Sequence, residues 1–86
     1  MDRLEKLRKK INCYDREMAE LFEKRMHVSK EIGKYKKEHN LPVLNSEREK
    51  EVIAQNLALI QDEELREYYE KFINRILELS KEIQEK

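Results

Sequence analysis

The chain is short of the residues that interrupt a helix or staple a small fold. Its 86 residues include one glycine, one proline and one cysteine. Cys13 has no second thiol with which to form an internal disulfide, and two histidines alone offer no zinc-ligand spacing. No apolar run approaches the ~20 residues needed to cross a bilayer, and the N-terminus lacks the apolar core of a signal peptide. The expectation is a cytoplasmic chain in reducing conditions, with no metal, no cofactor and no membrane span. An excess of one charge is also missing. The 19 lysines and arginines balance 19 aspartates and glutamates, with the signs interspersed along the chain. That distribution argues against a nucleic-acid stripe or an anionic membrane surface. Paired carboxylate dyads, Ser/His/Asp sets and glycine-rich phosphate loops are absent too, so hydrolysis and phosphoryl transfer find no support.

What is present is helical periodicity. The charged fraction is 44%, yet the apolar residues keep a strict helical repeat, which marks an all-α fold and excludes disorder. Leu4, Leu7, Ile11, Tyr14, Met18, Leu21, Val28, Ile32 and Tyr35 recur three and four apart on one seam. The first helix is expected from about Asp2, as N-cap, to about His39, with Gly33 as a tolerated interior weakness. Such a helix is roughly 55 Å long, about twice the ~25 Å diameter of a compact chain of this size. Its own chain cannot cover it. The chain is expected to be a single domain over residues 1–86 with three helices, one very long, and much of the long seam then packs against the equivalent helix of a second chain, most economically in a two-fold dimer.

Pro42 ends the first helix, because it lacks a backbone donor and pushes Leu41 out of the α region. Ser46 followed by Glu47, Arg48 and Glu49 reads as a capping box, so the second helix starts at Ser46 or Asn45 and runs to about Ile60. Asp62 caps the third. One stripe of that helix carries Leu65, Tyr69, Phe72, Ile76, Leu79 and Ile83. A second joins Ile73, Leu77, Ser80 and Gln84, where two polar side chains extend an apolar line; spacing alone favours a helix end fraying into solvent there.

Arg25 interrupts the first seam. A guanidinium cannot shed its charge, so it must snorkel, pair with a carboxylate or await an anionic ligand. Lys36 lies on the same face about three turns later, roughly 16 Å along the axis. Arg8 is about 25 Å from Arg25 in the other direction and cannot share an anion with it from the same helix. An antiparallel partner with its two-fold axis near Met18 brings the partner subunit's Arg8 close to Arg25. Each residue also has a plain explanation: Arg25 in an ion pair, Lys36 complementing the helix dipole, Glu49 in the capping box, Arg48 pairing with Glu51 on the surface, and Cys13 as a partly buried small residue.

Taken in order, Arg8 within Leu-Arg-Lys-Lys-Ile, Arg25, Gly33 followed by Lys36, Pro42-Val43, Arg48-Glu49, and Ser80 with Gln84 resemble the all-helical class of chorismate mutases across nearly the whole chain. The resemblance implies an intertwined homodimeric helix bundle of three-helix chains with two equivalent sites, each completed by an arginine from the other subunit. It implies that the substrate is chorismate, a small dicarboxylate, converted to prephenate in phenylalanine and tyrosine biosynthesis. By the same resemblance Arg25 and the partner's Arg8 hold the carboxylates with help from Arg48. Lys36 meets the ether oxygen and a carboxylate, and Gln84 reaches the ether oxygen from the other side. Glu49 takes the ring hydroxyl and Ser80 the ring carboxylate. Asn45 stands where some members carry an aspartate, which bears on tuning of the site. A free-standing enzyme is the expected form. Two alternatives remain: an isochorismate-pyruvate lyase of the same fold, and a non-catalytic helical dimerisation module in which Arg25 and Gln84 set register.

Overall fold

The computed structural model describes residues 2–86. Three helices follow one another: α1, Arg3–Glu38; α2, Ser46–Ala58; and α3, Glu63–Glu85. Asp2 caps α1 by accepting a hydrogen bond from the Glu5 amide at 2.8 Å. At the other end Asn40 adopts φ 54°, the left-handed conformation that asparagine tolerates. The Leu41 amide then bonds the Lys36 carbonyl at 2.8 Å and the Asn40 amide the Lys37 carbonyl at 3.4 Å, which together close a Schellman turn. Pro42 follows directly, so the chain leaves the helix axis where the sequence demands it.

The start of α2 differs in detail from the capping-box reading. Asn45 is the cap, its side chain accepting from the Arg48 amide at 3.1 Å, and Ser46 is the first helical residue. Glu49 does not reach back to the cap, because its carboxylate is engaged with Lys81 of α3. α2 ends at Ala58, and Asp62 caps α3 by accepting from the Glu64 amide.

α3 packs against both other helices, while α1 and α2 do not pack on one another. The core is correspondingly thin: Met26, Ile73 and Ile76 are its buried apolar residues, joined by Ser29, Gly33 and Ser80. The second α3 stripe does not fray. Ile73 and Ser80 are buried and Leu77 and Gln84 half-buried, because this stripe, closely followed by Ile76, is the one that faces α1 and α2.

The long seam of α1 is uncovered within one chain. Leu4, Leu7, Ile11, Tyr14, Met18, Leu21, Val28, Ile32 and Tyr35 are all exposed. α1 meets α3 through a different face, along Met26, Ser29 and Gly33. Cys13 is exposed as well, not partly buried, since nothing in its own chain reaches the N-terminal half of α1. The molecule measures 56 × 25 × 15 Å with a radius of gyration of 16.2 Å, against about 12 Å for a compact chain of this length. Among the described residues no helix is long and apolar enough to cross a membrane.

Candidate active site

A cavity of about 480 Å³ opens between α1, the α1–α2 connection, the first turns of α2 and the last turns of α3. Arg25, Lys36, Asn45, Arg48, Glu49, Ser80 and Gln84 all line it, with Val28, Ile32, Val43, Val52 and Leu77 supplying apolar wall. Each helix contributes through its periodicity. Arg25, Val28, Ser29, Ile32 and Lys36 share one face of α1, and Leu77, Ser80, Lys81 and Gln84 one face of α3. The first turn of α2, oriented by the Asn45 cap, brings in Arg48 and Glu49.

The polar side chains form a continuous network. Lys36 Nζ donates to the Val43 carbonyl at 2.8 Å and to Gln84 Oε1 at 2.9 Å. Because the ammonium can only donate, this bond assigns Oε1 toward Lys36 and leaves the Gln84 amide N–H group as the donor. That amide lies 3.4 Å from Ser80 Oγ, which is 2.6 Å from Ser29 Oγ in a buried hydroxyl pair. Ser29 was not among the residues expected at the site. Its only sequence signal is its placement one turn after Arg25, off the apolar seam.

Charge is concentrated at this cavity. Arg25, Lys36, Arg48 and Lys81 face it with Glu49 as the one carboxylate on its wall. Glu49 Oε2 lies 3.0 Å from Lys81 Nζ, and this is the only ion pair between helices among the described residues. It ties the start of α2 to the end of α3, and Lys81 too was missed by sequence reasoning, as one lysine among many. Arg48 sits at the rim, where its guanidinium pairs with Glu51 at 2.9 Å on an exposed surface, as the plain reading of that residue expects. Arg25 is half-buried and makes no ion pair or side-chain hydrogen bond among the described residues, so the carboxylate partner considered for it is not found within its own chain. Its guanidinium is a fixed charge facing a concave, largely apolar space.

Arg8 is not at this cavity in the single chain. It lies on the exposed N-terminal half of α1, about 25 Å along the axis from Arg25. No cluster of three or more His, Cys, Asp or Glu side chains suited to a metal ion occurs among the described residues. The arrangement instead suits a small, compact dianion: convergent cations, paired donors from Lys36 and Gln84, and hydrophobic walls.

Comparison with known proteins agrees with this chemistry. The chain is similar to a bifunctional chorismate mutase/prephenate dehydratase of Aquifex aeolicus, 34% identical over 91 residues, which covers 96% of this chain and 25% of that protein. It is similar also to the T-protein of Haemophilus influenzae, 43% identical over 49 residues, or 57% of this chain and 13% of that one. The chain thus spans a quarter or less of the length of these curated relatives. Among solved structures it resembles a conserved hypothetical protein from Pyrococcus furiosus, with a TM-score of 0.75, 39% identity and coverage of 98% and 97% of the two chains. The family description of chorismate mutase type II matches residues 7–85, and the chain belongs to that family.

Proposed function

We propose that the cavity binds chorismate and converts it to prephenate, as one catalytic domain in cytoplasmic phenylalanine and tyrosine biosynthesis. The observation that carries the reading is the hydrogen bond between Lys36 and Gln84, 2.9 Å long, set in a wall that also holds Arg25. The reaction is a unimolecular Claisen rearrangement. The carbon–oxygen bond of the enol ether breaks as a carbon–carbon bond forms, with no proton transfer and no covalent intermediate. A site without a general acid–base pair is therefore sufficient for it.

Two physical effects are available to these side chains. Arg25, with Arg48 at the rim, grips carboxylates and holds the flexible dianion in the compact pseudo-diaxial chair, which is a proximity and orientation effect. Lys36 Nζ and the Gln84 amide N–H group converge on the ether oxygen, where negative charge develops as the bond lengthens. Pre-aimed donors set among apolar side chains stabilise that charge more than freely reorienting solvent does. Glu49, held by Lys81, keeps an oxygen for the ring hydroxyl, and Ser80 stands at the ring carboxylate. Asn45 spends its amide oxygen on the α2 cap, so its amide nitrogen is the part left for substrate.

The site is proposed to be completed in a homodimer by the partner subunit's Arg8. Support comes from the exposed seam and from the area of the chain, 7583 Å², against about 5,500 Å² for a compact monomer of this mass. The exposed apolar seam from Leu4 to Tyr35 lies along α1, the helix that carries both Arg8 and Arg25.

The test is to follow the loss of chorismate absorbance with the purified chain, offer isochorismate in parallel, and measure mass by sedimentation. The reading expects prephenate from chorismate and a dimer. Pyruvate released from isochorismate with chorismate untouched would assign the lyase reaction instead, and inertness toward both would leave only a dimerisation module.

A further inference from the structure

Gly33 is the only glycine in the chain, it is buried within the last two turns of α1, and it is not there for its backbone freedom. No glycine in the chain has positive φ, and within a helix glycine is the weakest former after proline. Its use is space. A Cβ added at Gly33 would stand 2.6 Å from the Cα of Gln84, 2.6 Å from its carbonyl oxygen and 3.0 Å from its carbonyl carbon. Those are backbone atoms of α3, so no rotamer change relieves the overlap; one helix must move.

The position of this contact is what gives it consequence. Ser29 meets Ser80 through their hydroxyls at 2.6 Å, and one turn further on Gly33 meets Gln84. The two helices thus run parallel with a shared register, and two small α1 side chains let α3 settle at close range. Gln84 sits where its backbone would touch a Cβ at Gly33. Lys36 is nearly one turn beyond Gly33 on α1, and its ammonium group bonds the side chain of the same Gln84 whose backbone Gly33 admits. Moving α3 outward by the ångström or so that a methyl group needs would separate Gln84 from Lys36 while leaving Arg25, further down α1, in place.

We infer that Gly33 is a positioning residue of the active site: by admitting the α3 backbone against α1 it sets the reach of Gln84 to the reacting oxygen. The inference rests on the proposed reaction. It assigns to a residue without a side chain a share of transition-state stabilisation that passes entirely through Gln84. A purely structural role would lower stability or substrate affinity and act independently of Gln84.

The experiment is a double-mutant cycle on the full chain, comparing Gly33→Ala, Gln84→Ala and the double variant, with kcat and KM measured separately and helicity followed by circular dichroism. Gly33→Ala is expected to lower kcat on the order of a hundredfold, as misplacement by about 1 Å does, with KM changed by less than about threefold. In the Gln84→Ala background the same substitution is expected to have almost no further effect on kcat, because coupled residues are non-additive. Ser29→Thr, which keeps the hydroxyl and adds one methyl group a turn earlier and further from Gln84, is expected to give a milder loss with the same dependence on Gln84, and it carries the test should the alanine chain fail to fold. Additive losses, or a change confined to KM and stability, would overturn the positioning role while leaving the reaction standing. An inactive wild-type chain would overturn the reaction, and this inference with it.

Discussion

Lys36 Nζ donates to Gln84 Oε1 across the gap between α1 and α3 at 2.9 Å, so the two side chains proposed to meet the ether oxygen already hold each other in place. The ammonium is fixed a second time by the Val43 carbonyl at 2.8 Å. Such pre-aimed donors need little rearrangement as charge develops.

Replacing either cation on this wall should therefore remove chemistry without removing fold. Lys36→Ala and Arg25→Ala are each expected to lower turnover on the order of a hundredfold to a thousandfold, the range for loss of one such donor, while circular dichroism shows helicity retained. Arg25→Leu separates this account from a register device. A register role predicts a more stable chain with nothing else lost, whereas a substrate-binding role predicts loss of turnover whatever happens to stability. Near-normal activity in any of these variants would contradict the site.

The amide of Gln84 donates at any ordinary pH, and a carboxyl group in its place donates only when protonated. Gln84→Glu should consequently be active in acid and lose activity as pH rises through the pKa of the introduced group. A free glutamate titrates near ~4.3, and the Lys36 ammonium beside it favours the ionised form, so the loss should be complete well below neutrality. A pH–rate profile as flat as that of the parent chain would count against contact between Gln84 and the ether oxygen.

The buried hydroxyl pair makes a prediction about stability. Ser80→Ala leaves the Ser29 hydroxyl, 4% exposed, without its 2.6 Å partner, at an expected cost of about 1–3 kcal/mol. Ser29→Ala combined with Ser80→Ala removes both polar groups and should recover part of that loss. Urea unfolding of the three variants measures it; a double variant that is the sum of the singles would mean the pair is not coupled.

Where sequence signals are local, they match the structure closely. The α1 cap at Asp2, the turn at Asn40 to Pro42 and the cap at Asp62 follow from the chemistry of single side chains and the backbone groups beside them. Arg25 was legible for a different reason: it breaks a period, and an anomaly against a regular background stands out. The sequence leaves the start of α2 open between Asn45 and Ser46 because both suit a cap, and the helix begins at Ser46 with Asn45 as its cap; the capping-box role of Glu49 does not hold, and only its partner Lys81 shows where that carboxylate goes. Ser29 was invisible as a site residue, and Gly33, though part of the pattern that carries the resemblance, reads by itself only as a weak point of the helix, since small side chains leave no hydrophobic signal; yet the two form the face that α3 selects. The exposed state of the seam from Leu4 to Tyr35 is consistent with the length argument for a second chain, but which side chains meet across such an interface is a property of the assembly.

The central claim is that each site is shared, with Arg25, Lys36 and Gln84 from one chain and Arg8 from its partner. It is tested most directly by mixing Arg8→Ala chains with Arg25→Ala chains, allowing subunits to exchange, and measuring chorismate turnover. In a two-fold dimer the mixed species has one site with both substitutions and one with neither. Two nearly inactive parents should therefore combine to about a quarter of the wild-type activity per chain, since about half of the dimers are mixed and each holds one intact site of two. Activity in the mixture no higher than the average of its parents, or full activity of Arg8→Ala alone, would contradict the account.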